Sequence, residues 1–308
     1  MDPRQPDPQA IPVCDYEGSD YQARFWTNQG REYEDLAERI AIRHMLPPRG
    51  GCLLEIGTGF GRLVDLYQGY ERIVLLDYSR SMLRQAQERL GQGKKYTYVA
   101  ANLYDMPLVD RLVDAVCMVR VIHHVADVAD ALGQIHRVLR PGGTFVLEYA
   151  NKRNLKSMFR YALGRQSWSP FDPEPVEFVS LNYDYHPRWM NARLADQGFA
   201  VEQTRTVSHL RVPILKRAFP ARALAAVDGA LQWTGRWWQY TPSVFVRSRR
   251  GGQAAGERSG FPADPGELFR CPACTGRRWQ QMASEIHCQS CDARWPIDGG
   301  IYDFKERL

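Results

Sequence analysis

The sequence predicts a doubly wound α/β domain, with helices on both faces of a parallel sheet, followed by a small metal-held ribbon. Continuous apolar strands alternate with amphipathic helices between residues 52 and 150, and a glycine-rich turn follows the first strand. Such strands are typical of parallel sheets that are covered on both faces. The ribbon is predicted by two Cys-x-x-Cys motifs close to the end of the sequence.

The elements of the α/β domain follow in order. A helix is predicted first, because REYEDLAERIAIRHML (residues 31–46) has apolar residues at near-helical spacing and Pro47-Pro48 ends it. The predicted strands are CLLEIG, RIVLLD, YTYVAAN, DAVCMVRVI and TFVLEYA, residues 52–57, 72–77, 96–102, 114–122 and 144–150. The predicted helices between them are GRLVDLYQ, SRSMLRQAQERL and DVADALGQIHRVLR, residues 61–68, 79–90 and 127–140.

Composition divides the rest of the chain. The domain continues with a helix at RWMNARLADQGF and with two strands, AVEQTRTV and SVFVRS. A helical insert, LKRAFPARALAAVDGALQWTGRWWQY, lies between the two strands. We predict a disordered lead-in at 1–14, the α/β domain at 15–250 with inserts at about 151–190 and 211–241, a linker at 251–267 and the ribbon at 268–308.

Charge and hydropathy indicate the expected location of the protein and the charge of its substrate. There is no run of eighteen uncharged apolar residues and no secretory amino terminus, so we expect a cytoplasmic protein without a transmembrane segment. The formal net charge is +5, but residues 151–250 hold 16 Lys/Arg against 7 Asp/Glu, a net of +9. This asymmetry fits an anionic or membrane-adjacent substrate as well as a solvated basic face. Nothing in the sequence indicates the oligomeric state.

The seven cysteines fall into two groups. Cys14, Cys52 and Cys117 are scattered, which argues against a disulfide framework. The other four are spaced for tetrahedral zinc: Cys271, Cys274, Cys288 and Cys291. Four thiolates leave no open coordination position, so the zinc would be structural. A ribbon of about forty residues has little core of its own and needs the metal to fold.

The turn LLEIGTGFGRL indicates which nucleotide the domain binds. A dinucleotide fingerprint needs G-x-G-x-x-G, whereas Arg62 occupies the position of the third glycine and the spacing is G-x-G-x-G. Glu55, two residues before the first glycine, would repel a pyrophosphate but suits the amino and sulfonium groups of S-adenosylmethionine. Asp77, at the end of the second strand, is placed to accept both ribose hydroxyls.

The span from Leu53 to Ala150 resembles the class I S-adenosylmethionine-dependent methyltransferases, which have a Rossmann-like sheet. Within them it resembles the type 11 branch, which includes quinone-ring C-methyltransferases. The matching stretches are LLEIGTGFGRL, LLDYSRSML, NLYDMPL, VIHHVAD and LRPGGTFVLEYANK. Five motifs in the expected order are more specific than any single one. The resemblance extends weakly to about Arg250.

The resemblance implies a set of cofactor contacts. Glu55 and the turn residues Gly57, Thr58, Gly59 and Gly61 would surround the methionine part. The expected nucleoside contacts are Asp77 on the ribose, Tyr78 and Met82 on either side of the adenine, and Asn102 and Leu103 at its edge. Asn102 replaces the usual Asp, but its amide oxygen can still accept a hydrogen bond. Arg120 is unusual beside a cationic cofactor and either turns away or meets an acidic substrate group.

Three histidines are candidate catalytic or substrate-contacting residues. His123 and His124 follow the fourth strand, where the acceptor should lie, and His186 lies in the substrate-side insert. A helix-start or packing role is the alternative for each. The segment YEGSDYQARFW resembles the amino-terminal lid of this branch, and a hydrophobic staple is its alternative. Its aromatic residues are Tyr16, Tyr21, Phe25 and Trp26.

The acceptor is predicted only by class. An N-P-P-Y or D-P-P-Y motif, common in enzymes that methylate amino groups, is missing after the fourth strand, which favours small molecules with oxygen or carbon acceptors. The tryptophan-rich late insert would cap an apolar substrate, rest on a membrane or form core. The tail ARWPIDGGIYDF resembles the zinc-ribbon activator subunit of several RNA and protein methyltransferases, so RNA or a translation protein is an alternative substrate. A non-catalytic cofactor-binding module is a further alternative.

Overall fold

The computed structural model describes residues 11–18, 30–252 and 265–308. The lead-in before residue 11, the lid residues Tyr21, Phe25 and Trp26 and most of the linker lie outside the described residues. The α-helices are α1 (Glu32–Met45), α2 (Arg80–Leu90), α3 (Val128–Val138), α4 (Leu155–Ala162), α5 (Pro187–Asp196), α6 (Pro213–Ala218) and α7 (Ala221–Leu231). The strands are β1 (Gly50–Ile56), β2 (Tyr70–Asp77), β3 (Tyr96–Ala100), β4 (Val113–Met118), β5 (Leu139–Ala150), β6 (Val176–Val179), β7 (Asn182–Asp184), β8 (Phe199–Val207), β9 (Ser243–Arg250), β10 (Trp279–Gln281), β11 (Glu285–Cys288), β12 (Arg294–Asp298) and β13 (Ile301–Asp303).

The main sheet has the order β10-β11-β12-β13-β3-β2-β1-β4-β5-β9-β8. Strands β3, β2, β1, β4 and β5 are parallel neighbours, and β9 runs antiparallel between β5 and β8. Helices cover both faces, so the predicted doubly wound α/β fold is confirmed. Strand β1 lies between β2 and β4, because the chain runs from β1 through β2 to β3 on one side and then crosses to β4 on the other side. Open α/β sheets bind ligands at the carboxyl ends of strands at such a point.

One local prediction was wrong. Residues 61–68 do not form an α-helix, and only Val64–Tyr67 form a short 3-10 helix. The chain turns at Gly61 and again at Gly69, where a Cβ would lie 1.9 Å from the Pro48 carbonyl oxygen, so the segment between them is too short for a stable helix. The insert predicted to be helical does form helices, α6 and α7, which Pro220 separates.

The ribbon continues the main sheet. Strand β13 pairs in parallel with β3, with Ile301 opposite Tyr98 and Tyr302 opposite Val99. The ribbon side chains Phe269 and Trp295 are buried in the same apolar core as α3 and α5. This docking covers the edge of β3, which would otherwise present unpaired backbone groups. Among the described residues, no helix combines the length and apolar character that a membrane crossing requires.

Candidate active site and metal centre

A cleft of about 1060 Å³, including its open mouth, lies at the carboxyl ends of β1, β2 and β4. Gly61 lies behind the turn, where a Cβ would meet Leu90 Cδ1 on α2 at 3.0 Å. The other predicted cofactor residues line the cleft: Glu55, Gly57, Thr58, Gly59, Asp77, Tyr78, Met82, Asn102, Leu103 and Arg120.

The glycine turn has the backbone conformation that its spacing requires. Gly57, Gly59 and Gly61 have φ values of 70°, 54° and 75°, in the left-handed region that favours glycine. A Cβ on Gly57 would lie 2.1 Å from Val121 Cγ2, so a side chain cannot fit there. A Cβ on Gly59 would meet no described atom within 4 Å. The turn therefore leaves open space at Gly59 in which a ligand can approach the backbone.

Asp77 holds the turn and faces the cleft. Its Oδ2 accepts the backbone N–H of Gly59 at 2.7 Å, and its Oδ1 accepts that of Ser79 at 2.9 Å. Burial raises the pKa of Asp77, although these two donors oppose the shift. Each carboxylate oxygen has a second lone pair. The remaining acceptor capacity suits the two ribose hydroxyls that the sequence predicts at this position.

Glu55 forms the floor of the cleft and is 5% exposed. The Tyr67 hydroxyl donates to its Oε1 at 3.1 Å, and no described group pairs with its Oε2. Burial raises the pKa of Glu55 to about 8. A buried carboxyl with one unpartnered oxygen fits a ligand cation, such as the amino group of S-adenosylmethionine, and disfavours a pyrophosphate.

Cofactor binding is expected to release a proton from Glu55. With a pKa of about 8 the carboxyl is mostly protonated at pH 6.5, and a bound cation favours its ionised form. Titration calorimetry with S-adenosylmethionine in two buffers of different ionisation enthalpy should therefore show release of most of a proton per site. Glu55→Gln is the control, because its amide has no proton to lose. Equal proton release by both proteins would contradict this role of Glu55.

The side of the cleft that is predicted to hold the adenine is formed by Tyr78, Met82 and Asn102. The Oδ1 of Asn102 accepts the backbone N–H of Tyr104 at 3.0 Å, so this side chain caps the turn that follows β3. A second lone pair on Oδ1 remains for the adenine amino group. The ammonium group of Lys305, from the ribbon tail, lies 4.8 Å from the centre of the Tyr78 ring. The adenine contacts remain predictions.

Residues 11–18 are here called the N-terminal strap; Tyr16, Glu17 and Gly18 belong to the predicted lid, whereas residues 11–14 were not predicted as part of the site. Val13, Cys14 and Tyr16 line the cleft, although composition assigned residues up to 14 to a lead-in. The Glu17 carboxylate accepts the backbone N–H groups of Arg80 and Ser81, at 2.7 and 3.1 Å. These groups begin α2, where the helix dipole favours an anion. Glu17 therefore fastens the strap across the adenine side.

Arg120 turns toward α1. Its Nε donates to Glu38 Oε1 at 2.8 Å, and Arg62 donates to Glu38 Oε2 at 2.6 Å. Burial would raise the pKa of Glu38, but the two guanidinium groups outweigh it and hold this pKa below its usual range. Of the two alternatives for Arg120, the structure therefore shows the first: the side chain turns away from the predicted cofactor site and pairs within the protein.

The three candidate histidines occupy different environments. His124 lines the cleft. The His123 ring packs on it, with 4.1 Å between ring centroids, and no described group pairs with His123 Nδ1. His186 precedes α5, and its Nδ1 accepts the backbone N–H of Arg188 at 3.2 Å, which is a helix-capping role. The described cleft lining includes neither His123 nor His186. Their catalytic roles remain predictions.

The hydrogen bonds of His124 define its tautomer. Its Nδ1 lies 2.8 Å from the Leu181 carbonyl oxygen, which can only accept, so Nδ1 carries the proton. Its Nε2 lies 3.1 Å from the Tyr16 hydroxyl and accepts a hydrogen bond from it. Burial lowers the pKa of His124, although the bond to Leu181 opposes the shift. A neutral imidazole thus presents a lone pair at the cleft.

The four ribbon cysteines form one cluster. Their sulfur atoms all lie within 4.8 Å of one another. The Sγ atoms of Cys271 and Cys291 are 3.7 Å apart, as are those of Cys274 and Cys288. A zinc tetrahedron with Zn–S bonds of about 2.3 Å has edges of about 3.8 Å, whereas a disulfide needs about 2.05 Å. The cluster therefore fits one zinc ion with four thiolate ligands.

Comparisons with known proteins agree with this geometry. Residues 54–147 match the family model described as a methyltransferase domain, type 11. A probable S-adenosylmethionine-dependent methyltransferase from Mycolicibacterium smegmatis is 32% identical over 183 residues, which are 58% of this chain and 60% of the relative. The ubiquinone/menaquinone biosynthesis C-methyltransferase of Desulfotalea psychrophila is 34% identical over 112 residues, 35% of this chain and 45% of that protein. The chain thus spans less than two thirds of either relative.

Solved structures share the fold. A Mesorhizobium loti S-adenosylmethionine-dependent methyltransferase has a TM-score of 0.52 at 24% identity, covering 71% of this chain and 100% of that chain. A Haloferax volcanii complex between the Trm112 methyltransferase activator and a methyltransferase has a TM-score of 0.52 at 20% identity, covering 76% of this chain and 97% of that chain. The predicted motifs, the sheet and the relatives agree. Residues 54–147 are therefore a methyltransferase domain, similar to those of S-adenosylmethionine-dependent methyltransferases.

Proposed function

We propose that this protein transfers the methyl group of S-adenosylmethionine to an oxygen or carbon atom of an apolar small molecule. The proposal rests on His124, whose neutral ring presents the Nε2 lone pair at a cleft that also contains Glu55 and Asp77. Carboxylates at one end suit the cofactor, and a neutral base at the other suits an acceptor that must lose a proton.

S-adenosylmethionine, when bound, supplies a methyl group on an activated carbon, so positioning provides much of the acceleration. Glu55 and Asp77 would hold the amino acid and ribose portions. His124 Nε2 would take the proton that the acceptor loses as its new bond to the methyl carbon forms. The Leu181 carbonyl fixes the ring through Nδ1 and favours the resulting imidazolium. The Tyr16 hydroxyl on Nε2 marks the position that an acceptor hydroxyl would occupy.

The position of the ribbon supports a small acceptor over a macromolecular one. The ribbon lies beyond β3, on the adenine side, where Arg80 on α2 pairs with Asp303 at 3.1 Å. The acceptor side is formed by the end of β4 and the chain after β5. RNA or a translation protein remains the second candidate, favoured by the net charge of +9 in residues 151–250. Steep salt dependence of RNA binding would support it.

Replacing His124 tests its role as the base. His124→Ala should lower kcat/KM by about 10²–10⁴, because a positioned general base contributes that much, with the cofactor Kd unchanged. Wild-type activity should fall at acidic pH as Nε2 becomes protonated, below the ordinary histidine range because the pKa of His124 is lowered. His123→Ala is the matched comparison. S-adenosylhomocysteine formation should be measured with a panel of apolar phenols and hydroquinones; equal activity of the His124 variant and the wild type would contradict the role.

Native mass spectrometry of protein purified without added ligand tests the function itself. We expect one zinc ion and co-purifying S-adenosylmethionine or S-adenosylhomocysteine. Metal-loaded protein that fails to take up either nucleoside would overturn the cofactor assignment. Cofactor binding without turnover on any acceptor of the panel would favour the non-catalytic alternative.

A further inference from the structure

Exposed apolar side chains are concentrated in two segments of the chain. Of the eighteen large apolar side chains exposed in the described ranges, all but Val201, Met282 and Leu308 lie in residues 151–185 and 208–242. The first of these inserts follows the end of β5, and the second connects the end of β8 to the start of β9. Both therefore leave the sheet at its carboxyl edge, the edge that holds the cofactor cleft.

Hydrogen bonds join the start of the first insert to the end of the second. The backbone N–H of Leu155 donates to the Tyr240 carbonyl oxygen at 2.9 Å. The Nδ2 of Asn151 donates to the carbonyl oxygens of Gln239 and Thr241, at 3.0 and 2.8 Å. These bonds fix the start of α4 beside the tryptophan-rich end of the second insert. We call the solvent-exposed surface of these two joined ends the insert face. Its exposed apolar residues are Leu155, Phe159, Leu163, Trp233, Trp237 and Trp238.

Helix α4 faces solvent with its apolar side. Leu155 and Phe159, four residues apart on one side of the helix, are 59% and 70% exposed. The buried residue of this helix is the polar Ser157. Lys156 and Arg160 form a second exposed row with the same spacing. An apolar row beside a basic row, both in solvent, is the arrangement of a helix that lies in a lipid headgroup region.

Charge indicates what covers the insert face. The inserts, residues 151–185 and 208–242, contain ten Lys/Arg and five Asp/Glu, so their net charge of 10 − 5 = +5 equals that of the whole chain. A second copy seated on this face would bring cationic surfaces together, which is unfavourable. An anionic lipid surface offers both partners, acyl chains for the aromatic residues and phosphates for the basic ones.

We propose that the insert face docks on an anionic lipid bilayer and holds the mouth of the cleft beside it. The docking proposal depends only on the exposure and the charge of the insert face. Its consequence, that the acceptor is a lipid-borne molecule reached from the bilayer, rests on the proposed function. Binding to vesicles and binding of the cofactor are separate measurements, so failure of one is distinguishable from failure of the other.

Vesicle co-sedimentation of the full chain tests the docking. The protein should bind vesicles of phosphatidylcholine with 30% phosphatidylglycerol, bind phosphatidylcholine vesicles much more weakly, and dissociate as salt is raised. The double variant Lys156→Glu and Arg160→Glu should lower the partition coefficient by about several hundredfold, because each unit of charge near an anionic surface contributes about fivefold and each reversal changes two units. Phe159→Ser should lower it by about tenfold through loss of apolar insertion.

Met282→Ser is the matched control, because Met282 is an exposed apolar residue of the ribbon away from the insert face. It should bind vesicles like the wild type. All variants should keep the wild-type melting temperature and cofactor Kd. Equal vesicle binding by the wild type and the two insert-face variants, or no binding at low salt, would overturn the proposal. So would a self-association in sedimentation velocity that Phe159→Ser abolishes, since it would assign the face to a second copy.

Discussion

Removal of zinc from the ribbon is expected to destabilise the whole protein and weaken cofactor binding. Cys271 and Cys288 are fully buried, and without metal their cluster has no covalent or ionic replacement. Structural zinc contributes roughly 10 kcal/mol or more to small metal-held folds. If only about 4 kcal/mol of this reaches the global stability, Tm falls by about 6 °C for a chain of this size.

The effect should extend beyond the ribbon because β13 covers the edge of β3. Unfolding the ribbon would expose the backbone of Tyr98 to Ala100 and the apolar core that Phe269 and Trp295 share with α3. The cofactor should be affected through two contacts. Asp303 pairs with Arg80 at the start of α2, and Lys305 lies 3.8 Å from Glu17 of the N-terminal strap. Loss of both should raise the cofactor Kd on the order of tenfold.

Two measurements and one control variant test this coupling. Chelated protein and Cys288→Ser should both show the lower Tm and the weaker cofactor binding, and zinc should restore only the chelated wild type. His287→Ala is the control, since His287 adjoins a ligand but pairs with Asp292 at 3.3 Å instead. A normal Tm without metal would contradict the structural role. A lowered Tm with an unchanged cofactor Kd would limit the ribbon to stabilisation.

Local patterns predicted the fold and the two binding motifs, because their constraints lie within a few residues of one another. The glycine turn needs positive φ at Gly57 and Gly59, and glycine provides it wherever the turn is placed. The cysteine spacing likewise defines the zinc ligands. The pairing of Ile301 with Tyr98 joins residues about two hundred positions apart, and a sequence pattern does not specify such a pairing. The position of the ribbon beside β3 could therefore be seen only in the structure.

The polar partners at the cleft were missed for the same reason. The apolar spacing of α1 gave no sign that Glu38 would be buried, and its partner Arg120 comes from the distant end of β4. His123 and His124 are equivalent in sequence, and only the short turn after β4 and the Leu181 carbonyl decide which ring lines the cleft. Neither signal is local, so both histidines had to be kept as candidates.

Asp77→Ala is expected to raise the cofactor Kd by about 10² to 10⁴. Hydrogen bonds to a charged group contribute about 1.5 to 3 kcal/mol each, and two ribose hydroxyls would be lost. The turn would also lose its fastening, since Asp77 binds the N–H groups of Gly59 and Ser79. Glu71→Gln, an exposed change at the opposite end of β2, is the control and should leave the Kd unchanged. Calorimetry with S-adenosylhomocysteine measures the Kd of both variants.

The turn and the ribose contributions can be separated with a second ligand. An S-adenosylhomocysteine analogue without the 2′ and 3′ hydroxyls should bind the wild type weakly, because it lacks the partners of Asp77. If Asp77 acts on the ribose, Asp77→Asn should weaken the parent nucleoside far more than the analogue. If Asp77 only holds Gly59 and Ser79 in place, both ligands should weaken by the same factor. That second outcome would reassign Asp77 from cofactor recognition to the folding of the turn.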